Sequence, residues 1–225
     1  MSSVSPSPPP ARRPYPYWPV FDIRLRTGDL TLRPTTESDL GPLASIRDDD
    51  VETDPRLPRY PGVDAHTAGG IAVHQSYWAS LGSWRPESWR LGFTVLVGAT
   101  IAGIQDLEAT NFAVLRTVET ASWLAARWRG RGVGKAMRLA VLALAFDALG
   151  AEVAETEAWH DNAASLGVSR ALGYIDNGVG RHPRGDGADD MPRLRMTHVI
   201  WTARHANHGV TIEGVAACRQ FFGLR

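Results

Sequence analysis

Residues 129–135 read Arg129-Gly130-Arg131-Gly132-Val133-Gly134-Lys135, at the junction of a β-prone segment and a helical one. Glycines at such a junction let the backbone approach a ligand closely and turn its N–H groups toward one point. The helix that follows adds unpaired N–H groups and the positive end of its dipole. Five basic residues crowd the twelve positions 127–138, namely Arg127, Arg129, Arg131, Lys135 and Arg138. Together these features predict a site for phosphate or pyrophosphate, the alternative being a tight turn with solvated arginines.

Two common phosphate-binding motifs fit this glycine loop poorly. A P-loop needs a glycine five residues before its Gly-Lys pair and a Ser or Thr after it, where this chain has Arg129 and Ala136. A dinucleotide-binding fold needs the spacing G-x-G-x-x-G and an acid that closes the next strand. Here the spacing is G-x-G-x-G, and Glu152 lies near the start of the next predicted strand. Nucleoside triphosphate hydrolysis and dinucleotide binding are therefore disfavoured.

Hydrophobic periodicity extends the prediction outward from the glycine loop. Upstream, the pattern predicts short strands near 21–25 and 30–32, a helix that Ser38 can cap, a long loop over 48–64, a helix over 66–81, and strands over 91–97, 100–107 and 117–125. Downstream, it predicts a helix over 133–149, a strand over 153–159, a helix that Asn162 or Asp161 caps, an exposed loop over 178–190 and a strand over 194–201. This order indicates a mixed α/β fold.

The amino-acid composition disfavours several classes of function. The chain has 225 residues, which fits a Ser- and Pro-rich, disordered arm over 1–19 followed by a single domain over 20–225. Twenty-four basic residues balance twenty-four acidic ones, so no overall field favours nucleic acid or an anionic membrane. Cys218 is the single cysteine, and the seven histidines lack ligand spacing, so no metal site is expected. No apolar run is long enough to span a bilayer. These features suit a cytoplasmic protein.

Two motifs at a consistent distance resemble those of a known family. The loop resembles the (Q/R)-x-x-G-x-(G/A) acyl-CoA signature of the GNAT acyltransferases. The wider stretch "ETASWLAARWRGRGVGKAMRLAVLALAFDALG" (119–150) resembles the branch that contains ribosomal-protein N-terminal acetyltransferases. Downstream, "DNAASLGVSRALGY" (161–174) is similar to the family's N-x-x-(A/S) segment that ends in Gly and an aromatic residue. The opening "WPVFDIRLRT" and the closing "GVAACRQFFG" resemble an actinobacterial-looking subgroup, and this resemblance implies succinyl-CoA as an alternative donor because some members of the subgroup are thought to use it.

The resemblance implies a central, mostly antiparallel twisted sheet of about six to seven strands flanked by helices. It implies acyl transfer from acetyl-CoA or succinyl-CoA to a primary amine, directly in a ternary complex, and it leaves a homodimer open. The acceptor could be a protein N-terminus, a lysine or a small molecule. A catalytically weak protein that binds acyl-CoA as a sensor or partner is the alternative. The implied cofactor-binding residues are Trp123, Leu124, Ala125, Arg129, Gly130, Arg131, Gly132, Val133, Gly134, Lys135, Asn162 and Ser165.

The same resemblance suggests roles in the reaction. Glu119 lies where the resembling enzymes often carry a general base, and its alternative is a surface carboxylate paired with Arg116. A backbone N–H near Trp123–Ala125 would meet the oxyanion. Many relatives carry a Tyr seven residues after the Asn as the proton donor to the thiolate, but this chain has Ser169 there. Ser165 matches a serine of the ribosomal-protein branch. It lies on the same helix face as Ser169, so both are candidates to assist the thiolate.

Aromatic and basic residues elsewhere suggest how the acceptor side is built. Three tryptophans precede the strand-rich middle, and we predict core or lid packing for Trp78, Trp84 and Trp89 rather than a surface for stacking bases. A succinyl group would need a cation in the acceptor cavity, and the sequence offers Arg56, Arg59, Arg85 and Arg116.

Overall fold

The computed structural model describes residues 15–47, 51 and 60–225. Within them nine strands form one open sheet in the order β7-β8-β6-β5-β4-β3-β2-β1-β9. The strands are β1 (Arg24–Thr27), β2 (Leu30–Pro34), β3 (Ser88–Val97), β4 (Thr100–Thr110), β5 (Thr117–Leu124), β6 (Val153–Glu157), β7 (Ile175–Arg184), β8 (Gly187–Thr197) and β9 (Thr211–Glu213). Every neighbouring pair is antiparallel except β5 with β6. The predicted mixed α/β fold with a mostly antiparallel sheet is confirmed, with more strands than expected.

Six α-helices complete the described part of the fold. They are α1 (Glu37–Ile46), α2 (Ala65–Gly82), α3 (Phe112–Leu115), α4 (Val133–Ala143), α5 (Ala163–Leu172) and α6 (His198–His205). A π-helical segment, Leu144–Ala148, continues α4 without a break. The N-cap of α1 is Thr36, which forms a capping box with Asp39, so the prediction that Ser38 caps this helix is wrong. A carboxylate three residues after Thr36 outweighs the later hydroxyl as a capping signal.

The helices lie on opposite faces of the sheet. Leu40, Leu43 and Val73 of α1 and α2 pack with Ile104 and Trp123 of β4 and β5 in a small cluster on one face. On the other face α4 buries its apolar side against the sheet within the main core, and α5 packs beside it. The central strand β5 is therefore contacted from both sides by helices that belong to different halves of the chain.

The largest departure from the sequence prediction lies at one edge of the sheet. Residues 178–190 were predicted as an exposed loop, but they form most of the β7–β8 hairpin, which turns at Gly185 with φ of 58°. Glycines and charged residues hide the alternation of this hairpin, because its strands are exposed for much of their length. The predicted strand over 194–201 is correct to Thr197. There the Thr197 hydroxyl accepts from the Ile200 N–H and begins α6.

The end of the predicted N-terminal arm belongs to the folded part of the chain. Trp18 makes edge contacts with Trp84 and Phe221, with ring centroids 5.5 and 5.0 Å apart. Residues 1–14 and most of the predicted loop over 48–64 lie outside the described residues. Every helix within residues 15–47 and 60–225 is too short or too polar to traverse a lipid bilayer.

Candidate functional site

The sheet opens between β5 and β6, and we name this opening the seam. Only three residue pairs join β5 to β6, namely Thr117 with Val153, Val118 with Ala154 and Glu119 with Glu155. Beyond them β5 stays paired with β4 as far as Leu124, and β6 stays paired with β8 as far as Glu157. The two strands therefore part after Glu119 and Glu155, and each leaves one backbone edge facing the seam.

The direction of the backbone groups along β5 follows from two hydrogen bonds. The Ala125 N–H donates to the Ala102 carbonyl of the β4 side at 2.9 Å. The Thr120 carbonyl accepts from the Thr156 hydroxyl of β6, also at 2.9 Å. Backbone groups alternate in direction along a strand, so the N–H groups of Ser122 and Leu124 face the seam. Of the three predicted donors Trp123, Leu124 and Ala125, the alternation leaves Leu124 as the one directed there.

The glycine loop lies at the wide end of the seam and leads into α4. Gly130 and Gly132 have positive φ values of 71° and 81°, and a side chain added at either would meet no heavy atom within 4 Å. Gly132 is the N-cap of α4 and contributes no side-chain cap. The first helical hydrogen bond there runs from the Ala136 N–H to the Gly132 carbonyl, at 3.0 Å. The N–H groups of Val133, Gly134 and Lys135 thus have no helical acceptor, which is the arrangement at helix termini where proteins bind anions.

The basic residues of the loop divide into two groups. Arg129 donates from Nε to the Leu124 carbonyl at 2.9 Å, which ties the loop back to the end of β5. Arg131 is exposed, and its guanidinium carbon lies 5.8 Å from the Trp128 ring centre. Lys135 is also exposed. Arg131 and Lys135 are therefore positioned beside the helix terminus, where mobile cations can contact a pyrophosphate.

A row of charged residues crosses the sheet at the point where the seam begins. Directly opposite positions on adjacent strands hold Arg90, Glu108, Glu119, Glu155 and Arg195. Side chains at opposite positions share a face and lie roughly 5 Å apart at Cβ. Glu119 is exposed and stands at the middle of this row. The face that carries α1 and α2 thus presents three neighbouring carboxylates at the narrow end of the seam.

The predicted pairing of Glu119 with Arg116 is not among the contacts that Arg116 makes. Arg116, its predicted surface partner, donates instead to the Leu149 carbonyl at 3.4 Å and lies over the Phe112 ring. Glu155 accepts from Asn177 at 3.1 Å and is 3.5 Å from Arg193. Glu155 is therefore held by neighbours on β7 and β8, and Glu119 is exposed at the point where the seam begins.

A chamber of about 1280 Å³ opens on the same face and contains the seam. Its floor is formed by β5 and β6, including Glu119, Trp123 and Thr156. One wall comes from α1 and α2. The other comes from the β7–β8 hairpin, where Arg184 lies 4.7 Å above the Trp159 ring and pairs with an aspartate on either side. The chamber is large enough for the reactive end of one substrate and much of a second.

Most of the tryptophans predicted as core or lid pack inside the protein. Trp89 is buried, and Trp84 stacks on it at 6.1 Å between ring centres. Trp84 also reaches the chamber wall. Trp78 is more than half exposed, beside His74. Of the four arginines considered for a succinyl group, Arg56 and Arg59 lie outside the described residues, and Arg116 turns toward Leu149.

The serines of α5 differ in their surroundings. Asn162 caps α5, and its side chain accepts from the Ser165 N–H at 3.0 Å. Ser169 is 1% exposed, and its hydroxyl donates to the Ser165 carbonyl at 3.1 Å. That bond uses the proton of Ser169 inside the helix. Ser165 is half-buried, which leaves it the more accessible of the two predicted residues.

Sequence reasoning missed a buried polar cluster beneath the seam. Arg138 of α4 is 3% exposed and donates to the Ser122 hydroxyl at 3.1 Å and to the Thr156 hydroxyl at 3.3 Å. The Tyr174 and Thr120 hydroxyls are buried nearby in no well-aligned hydrogen bond, but Tyr174 lies close enough to Arg138 and Thr120 to interact with both. The sequence did contain a signal, because Arg138 lies three and seven residues before Val141 and Ala145, which places it on the buried side of α4.

Burial changes the ionisation of this cluster. It raises the pKa of Tyr174 above its usual value, against the opposing effect of the Arg138 charge. Burial also lowers the pKa of Arg138, although a guanidinium stays protonated in proteins. The described ranges contain no group of three or more His, Cys, Asp or Glu residues that could hold a metal ion.

Comparison with known proteins agrees with this geometry. The family described as Acetyltransferase (GNAT) domain matches residues 29–175. Mycobacterium smegmatis RimJ, solved in complex with CoA-disulfide, is 20% identical, with a TM-score of 0.66 over 82% of this chain and 95% of that one. A GNAT-family acetyltransferase from Bacillus anthracis is 15% identical, with a TM-score of 0.61 over 78% and 99%.

A third solved structure, the ribosomal L7/L12 alpha-N-protein acetyltransferase RimL in complex with coenzyme A, is 15% identical. Its TM-score is 0.62 over 76% of this chain and 95% of that one. At these identities the likeness of the solved structures concerns the fold, whereas the family match covers well over half of the sequence. The chain belongs to the GNAT acetyltransferase family.

Proposed function

We propose that this protein transfers an acyl group from acyl-CoA to a primary amine, directly in a ternary complex, with Glu119 as the general base. The observation that carries the proposal is the seam. It opens beside an exposed carboxylate and ends at a glycine loop and helix terminus suited to a pyrophosphate. Acyl-CoA supplies a thioester, whose carbonyl carbon is the electrophile for the amine.

The donor side of the proposal rests on backbone groups and on mobile cations. The N–H groups of Val133, Gly134 and Lys135 would hold the pyrophosphate, assisted by the exposed side chains of Arg131 and Lys135. The backbone edge of Ser122 and Leu124 would pair with the amide-containing arm, as a neighbouring strand does. A Cβ built at Gly130 or Gly132 would have no protein atom within 4 Å. This open space supports a close approach of the ligand to the loop.

The acceptor side needs a neutral amine beside the thioester. A free α-amine has a pKa of about 8 and a lysine side chain one of about 10.4, so most of the amine is protonated at neutral pH. The carboxylates of Glu108, Glu119 and Glu155 favour the approach of that cation. Glu119, on the floor of the chamber, would take the proton directly or through one water molecule.

The transfer itself forms one bond and breaks another. The amine nitrogen bonds to the thioester carbon, and the negative charge that develops on the carbonyl oxygen would meet the Leu124 N–H. The C–S bond then breaks, and its electron pair leaves on sulfur. The half-buried Ser165 hydroxyl would donate a hydrogen bond to that sulfur, because a serine is too weak an acid to protonate it fully.

The proposal is tested with Glu119→Gln, an isosteric change that removes the proton acceptor. We expect kcat/KM for thiol release, with acetyl-CoA or succinyl-CoA and a panel of amines, to fall by about 10²-fold or more. Affinity for acyl-CoA should not change. Glu213→Gln is the matched control, because Glu213 pairs with Arg26 on the far edge strand and should retain full activity. Equal activity of wild type and Glu119→Gln would remove Glu119 from the mechanism.

A second candidate function is acyl-CoA binding without efficient transfer, as a sensor or a partner of another enzyme. The buried Ser169, whose proton is used within α5, favours this reading, because relatives carry a proton-donating Tyr at that position. Tight binding of coenzyme A with no turnover against any amine would support the sensor. Turnover that depends on Glu119 would exclude it.

The choice between an acetyl and a succinyl donor follows from a binding comparison. The chamber wall offers cations that could receive a terminal carboxylate, among them Arg181 and Arg193. Thermal unfolding at equal concentrations of acetyl-CoA, succinyl-CoA and coenzyme A ranks the three affinities, because a ligand stabilises the state to which it binds. Greater stabilisation by succinyl-CoA than by acetyl-CoA would identify the donor as succinyl-CoA, and the reverse order as acetyl-CoA.

A further inference from the structure

Arg138 is a buried cation with no anionic partner in the described part of the chain. It is 3% exposed, and its hydrogen bonds go to two hydroxyl groups, those of Ser122 and Thr156. Its Nε–H, which could donate a further hydrogen bond, has no partner. Among residues 15–47 and 60–225, no carboxylate forms an ion pair with this guanidinium.

Such an arrangement is costly for a fold. Buried charges in proteins are nearly always paired, since the neighbours of an unpaired charge replace its lost hydration poorly. Methionine or leucine would fill the same place on α4, among Met137, Val141 and Leu142, without that cost. A charge kept at this position therefore points to an anion that is absent from the folded chain alone.

The position of the guanidinium indicates where that anion lies. Ser122 belongs to β5 and Thr156 to β6, and both are beyond the last pair that joins these strands, Glu119 with Glu155. Arg138 contacts one residue on each strand that borders the seam. It therefore spans the seam from the α4 face, close to the narrow end of the seam. A ligand arm that enters at the glycine loop and runs along the seam reaches this point with its far end.

Resting on the proposed function, we propose that Arg138 is a catalytic residue that contacts the sulfur of the CoA arm and stabilises the departing thiolate. The amine nitrogen forms its bond to the carbonyl carbon, the C–S bond breaks, and the electron pair stays on sulfur beside the guanidinium. The amine proton goes to Glu119. No proton has to reach the sulfur before it leaves, so the step is balanced without a general acid.

Two features favour a thiolate over the carboxylate of a succinyl group as the anion. First, Arg138 lies beneath the seam and does not line the chamber, although its partners Ser122 and Thr156 do, whereas the arginines of the β7–β8 hairpin line the chamber wall itself. Secondly, the neighbouring helix supplies no acid, because the Ser169 hydroxyl already donates to the Ser165 carbonyl. A fixed cation offers what the missing acid would have provided, since cations favour the thiolate form of a nearby thiol.

The test measures the pKa of the thiol of bound coenzyme A, followed by the ultraviolet absorbance of the thiolate as the pH is raised. We expect binding to the wild type to lower the pKa of the coenzyme A thiol by about one unit or more relative to the free cofactor. Arg138→Lys should keep part of that shift, and Arg138→Met should abolish it. In parallel, kcat should fall by at least about tenfold in Arg138→Met.

Unfolding of the ligand-free variants separates this role from a structural one. Because Arg138→Met replaces an unpaired buried charge by an apolar chain of similar length, its thermal midpoint should equal or exceed that of the wild type. Arg138→Lys provides the comparison if the methionine variant does not fold. A loss of stability in both variants, with an unchanged thiol pKa in the folded fraction, would assign Arg138 to the fold and overturn the proposal.

Two other outcomes would also overturn it. Binding of coenzyme A with the same thiol pKa in wild type and Arg138→Met would show that the guanidinium does not contact the sulfur. Loss of a preference for succinyl-CoA over acetyl-CoA in Arg138→Met, with no change in thiol pKa, would assign the cation to the acyl carboxylate. Failure of the wild type to bind coenzyme A at all would instead overturn the proposed function, so the two failures are distinguishable.

Discussion

The two faces of β5 carry opposite chemistry on one strand. Toward α1 and α2 it presents Glu119, next to two further carboxylates on the adjacent strands. Toward α4 it presents Thr120 and Ser122, which lie above the buried guanidinium of Arg138. A strand directs alternate side chains to opposite faces, so one short segment can serve proton removal on one side and anion stabilisation on the other. Mutations on the two faces of β5 should therefore affect the proposed proton removal and the proposed anion stabilisation separately.

After the loss proposed for Glu119→Gln, the largest expected effect is on the donor side alone. Gly132→Val forces a branched residue to adopt a φ of 81° and places its side chain where no protein atom lies within 4 Å. We expect the Kd for coenzyme A to rise by about 30-fold or more, since a non-glycine residue in this conformation costs about 1–3 kcal/mol and shifts the loop. The KM for the amine should change little. Calorimetric titration with coenzyme A measures the effect.

Gly209→Val is the matched control for Gly132→Val. Gly209 has a φ of 68° and equally open surroundings, but it lies in the turn before β9. It should lose a similar amount of stability while binding coenzyme A as the wild type does. Equal loss of affinity in the two variants would mean that strain, rather than the site, explains the result.

The second effect concerns the helix that supports the acceptor face. Asp39 in α1 receives two hydrogen bonds of 2.6 Å from Arg33 and one of 2.8 Å from the Thr36 N–H. Burial opposes ionisation of Asp39, but the hydrogen bonds from Arg33 and Thr36 outweigh it and lower its pKa below 3.8. We expect Asp39→Asn to reduce the free energy of unfolding by about 1–2 kcal/mol at neutral pH.

The sign of the pH dependence follows from that lowered pKa. The stabilisation by Asp39 is complete above its ordinary pKa of 3.8 and is lost as the pH falls through the lower value of the folded state. Urea unfolding should therefore separate wild type from Asp39→Asn at neutral pH and bring them together in acid. Asp176→Asn is the contrast, because its ion pair with Arg170 is exposed and should contribute under about 1 kcal/mol.

A smaller effect is expected at Glu155, which lies next to Glu119 in the row of charged residues. Glu155 is directly opposite Glu119 but is already held by Asn177 and Arg193. We expect Glu155→Gln to lower kcat/KM by less than about tenfold, in contrast to the larger loss proposed for Glu119→Gln. Steady-state rates of the two variants with one amine provide the measurement. The reverse ranking would make Glu155 the base.

The smallest effect involves a residue remote from both faces. Cys218 is fully buried, and burial raises its pKa to about 11. Its thiolate fraction near pH 8 is then about one in a thousand, so thiol reagents should label the native protein very slowly and the unfolded protein at once. Cys218→Ala should keep wild-type turnover. Rapid labelling of the native protein would contradict the packing around Cys218.

Sequence alone predicted the donor side of β5 in more detail than the acceptor side. The glycine loop and the Asn162 cap are local features, because the residues that define each of them are adjacent in the chain. The charged row from Arg90 to Arg195 joins five strands, and only the pairing of those strands brings its members together. From the sequence, Arg138 was grouped with the basic residues around the glycine loop. In the structure it lies on the side of α4 that is buried against the sheet.

The opening between the strands was beyond the reach of sequence patterns for another reason. Whether two neighbouring strands stay paired depends on the path of each backbone, and β5 and β6 leave each other to follow different partners, β4 and β8. The β7–β8 hairpin, predicted as a loop around Gly178 and Gly185, supplies the second of those partners. Residues 194–197 of that partner were predicted as a strand, so the part that the sequence missed is the exposed end of the hairpin, away from β6.

The short junction between β5 and β6 has a mechanical consequence. Six strands lie on one side of it and three on the other, and just three residue pairs link the two blocks within the sheet. An extended ligand that occupies the seam acts as an inserted strand, since it can bond to both free edges at once. Binding would then add backbone hydrogen bonds between two blocks that only three residue pairs join within the sheet. Slowed amide exchange at Ser122 and Leu124 would report those bonds.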